Sequence, residues 1–399
     1  MHLVIIARQP WEEKNMGSNI RDMARTLAAG GHRVLFVNQP LDWAALLRKN
    51  SERLAERRKF IDAQGGKTLS EVEPNLWVLC PPTVLGSYNW LPDGAVYDWC
   101  NRQNGRKLAA TIHDALKQLN WPDFVVLNDN DMVQGFYLKE LLKPSVYVYY
   151  LRDNFLAVDY WRKHGTRLEP ALMKKADLIA SNSLYLAAQA ARNNPASVYV
   201  GQGCDLALFN PDLVEKIPED LLAIPSPRIG YTGALTTLRL DADLIETVAR
   251  RRPDWEVVLV GNTDDSFPVD RLSLLPNITF LGSKPPATVP SYLAGMDVLI
   301  NPQVFNEVTI GNYPRKIDEY LAMGKPVVAV RTETMELFRD HVFLAEGTDA
   351  FVEAIDASLS GRELSAPQAR ISFALEHTWE NSVGLLLEAI QERLTARPA

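Results

Sequence analysis

The chain has 399 residues, of which 47% are hydrophobic and 23% are charged, so its composition excludes a disordered protein. A single hydrophobic core is unusual at this length, and about two domains are expected. The net charge of −7 argues against wholesale contact with nucleic acid, which is therefore not an expected partner.

Cysteine usage and the N-terminus both bear on the cellular compartment. Cys80, Cys100 and Cys204 are far apart and form neither a metal-binding spacing nor a disulfide framework, which indicates a reducing environment. The opening "MHLVIIARQP" lacks the basic leader and apolar core of a signal peptide. No apolar run reaches the roughly 18 residues that span a bilayer. The sequence therefore predicts a cytoplasmic protein, at most peripheral to the inner face of the membrane.

In the first half of the chain, short apolar runs alternate with amphipathic segments. The runs have the length of buried strands, and the segments between them have the pattern of helices. The predicted strands are 2–7, 33–38, 76–80, 124–128, 146–151, 177–181 and 197–201. The predicted helices are 18–30, 105–119, 132–143 and 183–193.

The second half repeats this rhythm, with predicted strands at 228–233, 256–261, 278–282, 297–301 and 326–330. An amphipathic helix is expected at about 379–394, after the last of these strands. Strands that are apolar on both faces and alternate with helices predict parallel sheets covered on both sides. The predicted fold class is α/β, with two Rossmann-like doubly wound domains facing across a cleft.

The domain boundary is expected in the stretch 205–228, which is rich in proline and acidic residues and lacks a clear strand. We predict an N-terminal domain at 1–205, a C-terminal domain at 206–378, and a helix at 379–399 that crosses back to the N-terminal domain. Ligands of open α/β sheets bind outside the C-terminal ends of the strands. The cleft between the domains is therefore the expected site.

The stretch "NYPRKIDEYLAMGKPVVAV" (312–330) predicts a short helix that Pro314 opens and Gly324 ends. Arg315 and Lys316 lie in its first turn, where the helix dipole disfavours cations. A bound phosphate would remove this conflict. Glu319 follows on the same helix face and could accept two hydrogen bonds from a ribose diol. This pattern indicates a nucleotide site, but a surface ion pair between Lys316 and Glu319 explains the spacing equally well.

Two glycine-containing loops follow predicted strands. In "GYTGAL" (230–235), Gly233 would let a ligand approach the bare backbone, although an ordinary glycine turn explains it too. In "MGSN" (16–19), Gly17 and Ser18 are predicted to contact substrate on the acceptor side. The alternative for Ser18 is a simple helix N-cap.

Acidic side chains follow two neighbouring predicted strands. Asp129 and Asp131 come after 124–128, and Asp153 comes after 146–151. Asp131 and Asp153 are therefore candidate catalytic bases for an acceptor hydroxyl, with helix capping as the ordinary alternative for each. An Asp-x-Asp pair can also bind a metal, but acidic pairs arise by chance in this chain and the scattered histidines form no ligand set. We expect no metal site.

The segment 43–60 sets leucines and an aromatic residue against a basic face and could lie on an anionic membrane surface. A solvated helix face is the ordinary alternative. Trp11, Trp90 and Trp161 fall in predicted loops or helix starts, where they could stack on sugar rings or pack in the core.

With these residues in place, the chain resembles the nucleotide-sugar-dependent glycosyltransferases of the GT-B type. It is most similar to bacterial members that build surface polysaccharides, including the teichuronic-acid group. The second half carries the resemblance in "IGYTGALTTLRLDADLIETVARRRPDWEVVLVGN", "PNITFLGSKPPATVPSYLAGMDVLINP" and "PRKIDEYLAMGKPVVAV". The ending "EHTWENSV" resembles the family's final helix. In the first half the resemblance is mainly one of fold.

The resemblance implies a first domain that binds acceptor and a second that binds donor. Lys316 would contact the donor phosphates, Glu319 the ribose, and Gly233 the diphosphate. The segment 282–285 would hold the base through its backbone. The implied donor-binding residues are Gly233, Arg239, Gly282, Lys284, Asn312, Tyr313, Lys316 and Glu319.

One departure from the family pattern concerns the donor sugar. Many retaining relatives carry a glutamate eight positions before the ribose-binding one, where this chain has Gly311. The nearest upstream acid is Glu307, and its role is left open, as is retention of anomeric configuration.

The predicted function is transfer of a sugar, by a hexosyltransferase-like and retaining reaction, from a nucleoside diphosphate-sugar to a glycan or lipid-linked acceptor. Bacterial surface polysaccharide synthesis is the expected setting, and no cofactor or metal is expected. Two alternatives remain: a nucleotide-sugar epimerase of the same fold, and a non-catalytic binding or scaffold relative.

Overall fold

The computed structural model describes residues 1–13, 18–47, 52–307 and 309–396. The chain divides into two compact units, which we call the first and second unit. The first unit comprises Met1–Gly203 and Trp379–Ala399, and the second comprises Cys204–Thr378. Each unit is built around its own mainly parallel sheet.

The first unit contains ten described strands. They are β1 (His2–Ile6), β2 (Arg33–Val37), β3 (Leu41–Asp42), β4 (Leu69–Glu73), β5 (Leu76–Leu79), β6 (Val84–Leu85), β7 (Val125–Asp129), β8 (Val146–Leu151), β9 (Leu178–Ser181) and β10 (Ser197–Tyr199). Its large sheet has the order β10-β9-β8-β7-β1-β2-β5-β4, and β3 pairs with β6 alone. Only β4 runs antiparallel to its neighbour in that sheet. Every strand predicted in this half is present.

The helices that connect these strands are α1 (Asn19–Ala29), α2 (Trp43–Leu47), α3 (Glu52–Ala63), α4 (Ala95–Leu119), α5 (Leu138–Leu142), α6 (Asp159–Lys175) and α7 (Leu184–Asn193). The predicted helix 105–119 is the second part of the longer α4. The predicted helix 132–143 is wrong over its first half, because the Asn128 and Asp131 side chains fix the chain there in turns. The predicted segment 43–60 forms α2 and part of α3, and its residues 48–51 lie outside the described part.

The second unit contains β11 (Arg228–Thr232), β12 (Glu256–Val260), β13 (Ile278–Gly282), β14 (Val298–Asn301), β15 (Val327–Val330) and β16 (Phe343–Ala345). They form one parallel sheet of order β13-β12-β11-β14-β15-β16. Its helices are α8 (Glu219–Leu222), α9 (Ala242–Arg251), α10 (Val269–Leu272), α11 (Val289–Ala294), α12 (Lys316–Ala322), α13 (Gly347–Leu359) and α14 (Pro367–Ala374).

Both sheets are buried on both faces. In β1, Leu3 and Ile5 join one hydrophobic core while Val4 and Ile6 join the other. Residues of β12 alternate between two cores in the same way. This double burial explains why the strands read as continuous apolar runs, and it confirms the predicted doubly wound α/β architecture.

The last helix, α15 (Trp379–Thr395), belongs to the first unit. Trp379, Val383, Leu386 and Ile390 recur at helical spacing and join a core of the first unit. Gly203 allows this packing, because a Cβ there would lie 2.2 Å from the Trp379 ring. None of the described helices is long and apolar enough to cross a membrane.

Candidate functional site

The N-terminus of α12 and the end of β11 bring Lys316 and Gly233 together in the second unit. The Lys316 ammonium donates a hydrogen bond to the Tyr231 hydroxyl and lies 4.1 Å from the centroid of that ring. Gly233 has φ of 137°, and a Cβ there would lie 2.9 Å from Lys316 Nζ. Both the backbone conformation and the space therefore favour glycine at this position. Tyr231 was not predicted, because it reads as an ordinary strand residue.

The charge around Lys316 is not balanced by a paired carboxylate. Burial lowers the pKa of the Lys316 ammonium, and the charge of Arg239 acts in the same direction, while Tyr320 and Glu319 oppose it. Arg239 is itself exposed. Among the described residues Lys316 forms no ion pair, so the ion pair between Lys316 and Glu319 that would have explained their spacing is not formed. Lys316 therefore lies beside Gly233, and Arg239 is close enough for its positive charge to act on Lys316.

Glu319 follows Lys316 by about one helical turn and is partly buried. Burial raises the pKa of its carboxyl group, and the charges of Arg315 and Lys316 offset part of that rise. Its carboxylate makes no hydrogen bond to any residue that the structure describes. Because the side chain keeps some exposure, its carboxylate can accept hydrogen bonds from donors outside the protein.

The other predicted donor-binding residues occupy different surroundings. Gly282 ends β13 with φ of 68°, and a Cβ added there would have no neighbouring atom within 4 Å. Lys284 pairs with Asp220 at 2.7 Å, so its ammonium already has a partner. Asn312 is partly buried, and its backbone N–H donates to the Thr309 carbonyl at 3.0 Å.

Tyr313 belongs to a buried cluster that fixes α12. Asp318 is fully buried and accepts hydrogen bonds from His377 Nδ1 at 2.7 Å and from the Cys204 thiol at 3.3 Å. Burial raises the pKa of the Asp318 carboxyl group, and His377 and Tyr313 offset part of that rise. The Tyr313 ring packs edge-on against Phe338. Tyr313 is only 4% exposed, so it supports the helix that carries Lys316 and Glu319. The sequence analysis did not predict a role for Asp318, although its spacing from the apolar residues of α12 places it on the buried face of that helix.

The two predicted catalytic carboxylates lie at the C-terminal edge of the first unit's sheet. Asp131 is 1% exposed, and its Oδ1 accepts hydrogen bonds from the N–H groups of Val133 and Gln134 at 3.0 and 2.8 Å. Asp153 is more exposed and accepts from Arg152 at 2.7 Å. Arg152 also bonds to Asp129 at 2.6 Å, a network that the sequence did not predict.

The acceptor-side residues are only partly described. Ser18 is 2% exposed and caps α1, where its Oγ accepts a hydrogen bond from the Arg21 N–H at 3.4 Å. Gly17 lies outside the described residues. Of the candidate stacking tryptophans, Trp11 is a core residue packed edge-on against Phe36, whereas Trp90 is 73% exposed.

Within the described residues, no three histidine, cysteine, aspartate or glutamate side chains are placed to hold a metal ion. The expectation of a reaction without metal or cofactor stays a prediction.

Sequence comparison matches part of the second unit to a known family. Residues 226–360 match the family described as "Glycosyl transferases group 1", and this stretch contains Gly233, Lys316 and Glu319. TuaH of Bacillus subtilis (strain 168), described as a candidate teichuronic acid biosynthesis glycosyltransferase, is 29% identical over 201 residues. That alignment covers 48% of this chain and 50% of TuaH, so the match spans about half the length of this curated relative.

Solved structures share the fold over the whole chain. Sucrose-phosphate synthase from Thermosynechococcus elongatus has a TM-score of 0.70 at 15% identity and covers 99% of this chain and 100% of its own. HepE of Anabaena in complex with UDP has a TM-score of 0.64 at 15% identity, with 98% and 99% covered. Identities this low show the fold alone.

The shared fold and the matched region agree with each other. The chain has the fold of the GT-B glycosyltransferases, and residues 226–360 match the group 1 glycosyl transferases. The resemblance to the GT-B glycosyltransferases that the sequence predicted is therefore confirmed.

Proposed function

We propose that this chain transfers a sugar from a nucleoside diphosphate-sugar to a hydroxyl of a glycan or lipid-linked acceptor. The observation that carries the proposal is the arrangement of Gly233, Lys316 and the unpaired Glu319 carboxylate inside the family-matching region. HepE, a structural neighbour, was solved in complex with UDP, which supports this class of donor. The description of TuaH supports bacterial surface polysaccharide synthesis as the setting.

In this proposal the donor diphosphate contacts both the backbone at Gly233 and the Lys316 ammonium. A phosphate oxygen can approach the backbone at Gly233, while the Lys316 ammonium exchanges its bond to the Tyr231 hydroxyl for a charge-assisted bond to phosphate. Arg239 adds a second positive charge. These fixed cations stabilise the negative charge that develops on the leaving diphosphate, without a metal ion or another cofactor.

Contacts to the ribose and to the base of the donor complete this proposal. Glu319 accepts hydrogen bonds from the two ribose hydroxyls, which supply the donors that its carboxylate lacks among the described residues. The backbone near Gly282, at the end of β13, contacts the base. Asn312 and the buried Tyr313 hold the loop that enters α12.

On the acceptor side we propose Asp131 or Asp153 as the base that takes the proton of the attacking hydroxyl. Both lie where strands β7 and β8 end, and each keeps at least part of its carboxylate at the sheet edge. We further propose that a hexose is transferred with retention of configuration. Product analysis by NMR would show the anomeric outcome directly.

We also propose a cytoplasmic enzyme that touches the membrane through the first unit. The large apolar side chains that are strongly exposed there include Trp43 by 56%, Leu47 by 80%, Trp90 by 73% and Trp99 by 64%. Aromatic and leucine side chains of this kind insert at the lipid interface. Co-sedimentation with phosphatidylglycerol vesicles tests this contact. Protein that stays in the supernatant would contradict the proposed membrane contact.

The donor site is tested by thermal shift with UDP, GDP, TDP and ADP. A nucleotide at a hundred times its dissociation constant stabilises the folded state by about 2.7 kcal/mol, which is readily measured. Lys316→Met should lose that shift, whereas the control Lys216→Met, on a side chain that is 70% exposed, should keep it. If no nucleotide shifts the folded wild-type protein, the scaffold alternative replaces the transferase. Formation of an epimer from a nucleotide-sugar without acceptor would indicate the epimerase instead.

A further inference from the structure

The first unit contains a pocket, whereas Gly233, Lys316 and Glu319 belong to the second unit. It holds about 590 Å³ of space not filled by protein atoms, including its open mouth. Its walls come from the loop after β6, from α4, from the turn after β7 and from the start of α6. Every lining residue belongs to the first unit.

The walls of this pocket are held by side-chain amides. Asn104 of α4 accepts a hydrogen bond from the Gly86 N–H and donates one to the Gly86 carbonyl, both at 2.9 Å. Asn101, one turn earlier, donates to the Val133 carbonyl at 3.0 Å. The loop after β6 and the turn after β7 are therefore both fastened to α4, so the pocket is pre-formed.

Tyr97 supplies the pocket with an unused hydrogen-bond donor. It lies in the first turn of α4, is 2% exposed, and stacks on the His164 ring with centroids 3.5 Å apart. Among the described residues its hydroxyl has no hydrogen-bond partner. Burial and the nearby charge of Asp131 raise its pKa, so the hydroxyl stays protonated at neutral pH.

Asp131 supplies the matching acceptor. Its Oδ1 is occupied by two backbone N–H groups, but the other carboxylate oxygen makes no hydrogen bond to any described residue. Asp131 and Tyr97 both line the pocket and are close enough for the charge of one to affect the other. A donor beside an acceptor is complementary to a pair of adjacent hydroxyls, each of which can accept and donate.

The rest of the lining is mixed: it includes three aromatic rings and the carboxylate of Asp42, and it carries no positive charge. Tyr88, Tyr160 and Trp161 offer ring faces, and none of the residues that line the pocket is lysine or arginine. The Arg8 guanidinium lies 4.2 Å from the Trp161 ring centroid but is not part of the lining. Aromatic faces suit the C–H surface of a sugar ring, and the carboxylate disfavours a phosphate or a uronate.

We propose that this pocket binds an uncharged sugar residue of the acceptor. Two adjacent hydroxyls of that residue bond to Tyr97 and Asp131, and its ring lies against the aromatic side chains. The identification of this sugar as acceptor rests on the proposed function, whereas the binding of the sugar does not require a nucleotide.

In the experiment, the full chain is titrated with methyl β-D-glucopyranoside, methyl β-D-galactopyranoside and methyl β-D-glucuronide. Binding of each glycoside is measured by saturation-transfer NMR. At least one of the neutral glycosides should bind, and the glucuronide should bind at least about tenfold more weakly than that glycoside because its charge meets Asp131. Tyr97→Phe removes only the unpaired hydroxyl, so the variant should fold, and it should weaken binding by about tenfold. The control Tyr185→Phe removes a hydroxyl on α7 that does not line the pocket and should bind as wild type.

The outcomes separate this inference from the proposed function. Absence of binding by both neutral glycosides, a preference for the glucuronide, or wild-type binding by Tyr97→Phe overturns the pocket assignment even if a nucleotide binds the second unit. Glycoside binding that Tyr97→Phe weakens, in a protein that binds no nucleotide, supports the pocket and rejects the transferase.

Discussion

Replacing Glu319 by glutamine should have opposite effects on stability and on nucleotide binding. The side chain keeps its shape but loses its charge, and with it the desolvation that the partly buried carboxylate suffers without a donor. The apo variant should therefore be more stable than the wild type at pH 7. The same change removes a charged acceptor from the proposed ribose site, so nucleotide should bind the variant more weakly.

The size of both effects follows from the surroundings of Glu319. An unsatisfied buried polar group costs about 1–3 kcal/mol. Because Glu319 keeps some solvent access, the lower end applies, and about 1 kcal/mol corresponds to roughly 2–4 °C in Tm for a unit the size of Cys204–Thr378. Hydrogen bonds to a charged acceptor exceed those to a neutral one by about 1 kcal/mol, so the dissociation constant should rise by about fivefold to tenfold.

The stability effect depends on pH with a defined sign. Burial raises the folded-state pKa of Glu319 above its unfolded value, so the wild type binds this proton more tightly when folded. That contribution to stability is fully present below the unfolded pKa and is lost as pH rises through the folded pKa. The Tm advantage of Glu319→Gln should therefore be smallest near about pH 4 and should grow towards pH 7.

The assay is differential scanning fluorimetry from pH 4 to 7, followed by calorimetric titration with the nucleotide that binds and with its 2′-deoxy form. Glu353→Gln is the control, because that carboxylate is exposed on α13 of the same unit. In the variant the affinity difference between the ribo and deoxy forms should shrink, which shows that Glu319 and the 2′-hydroxyl interact. A variant less stable than wild type at pH 7, or one with unchanged nucleotide affinity, would contradict the proposed role of Glu319.

Three further predictions concern other buried groups. Asp131→Ala removes the acceptor of two backbone N–H bonds, so it should lower the free energy of unfolding, measured in urea, by about 1 kcal/mol. Asp131→Asn keeps an acceptor oxygen and should leave that free energy unchanged. If Asp131 is the base, both variants should abolish transfer. His377→Ala leaves the buried Asp318 carboxylate without its 2.7 Å donor and should cost about 2–3 kcal/mol in the same measurement, and a loss below about 0.5 kcal/mol would contradict the cluster. Burial raises the pKa of the Cys80 thiol to about 11, so iodoacetamide at pH 8 should not modify Cys80 in the folded protein but should do so in urea, as peptide mass mapping would show.

The strands that the sequence predicted are those whose residues are buried on both faces. β7, β8 and β12 read as unbroken apolar runs because each lies between two hydrophobic cores. β4 was missed because "LSEVE" is a polar edge strand that pairs antiparallel with its neighbour. α6 was missed because Gly165 and Pro170 lie inside it and read as helix breakers, although the helix continues through both.

In the candidate site too, local features could be predicted from the sequence and long-range contacts could not. Lys316 and Glu319 could be paired from the sequence, because residues three apart share a helix face. The contact between Lys316 and Tyr231 joins residues 85 positions apart, and the Asp318 bonds to His377 and Cys204 span 59 and 114 positions. No local sequence pattern indicates contacts between residues so far apart in the chain.

By itself the sequence determined the α/β class, the position of the main strands and the charged residues that begin α12, because burial periodicity and helix-end chemistry are local properties of the chain. Only the tertiary structure decided that Gly233 lies against Lys316, that Asp318 anchors α12, and that Tyr97 and Asp131 line one pocket. These groups come from separate elements, and their meeting depends on how the sheets order and pack those elements, which the packing of the whole core fixes.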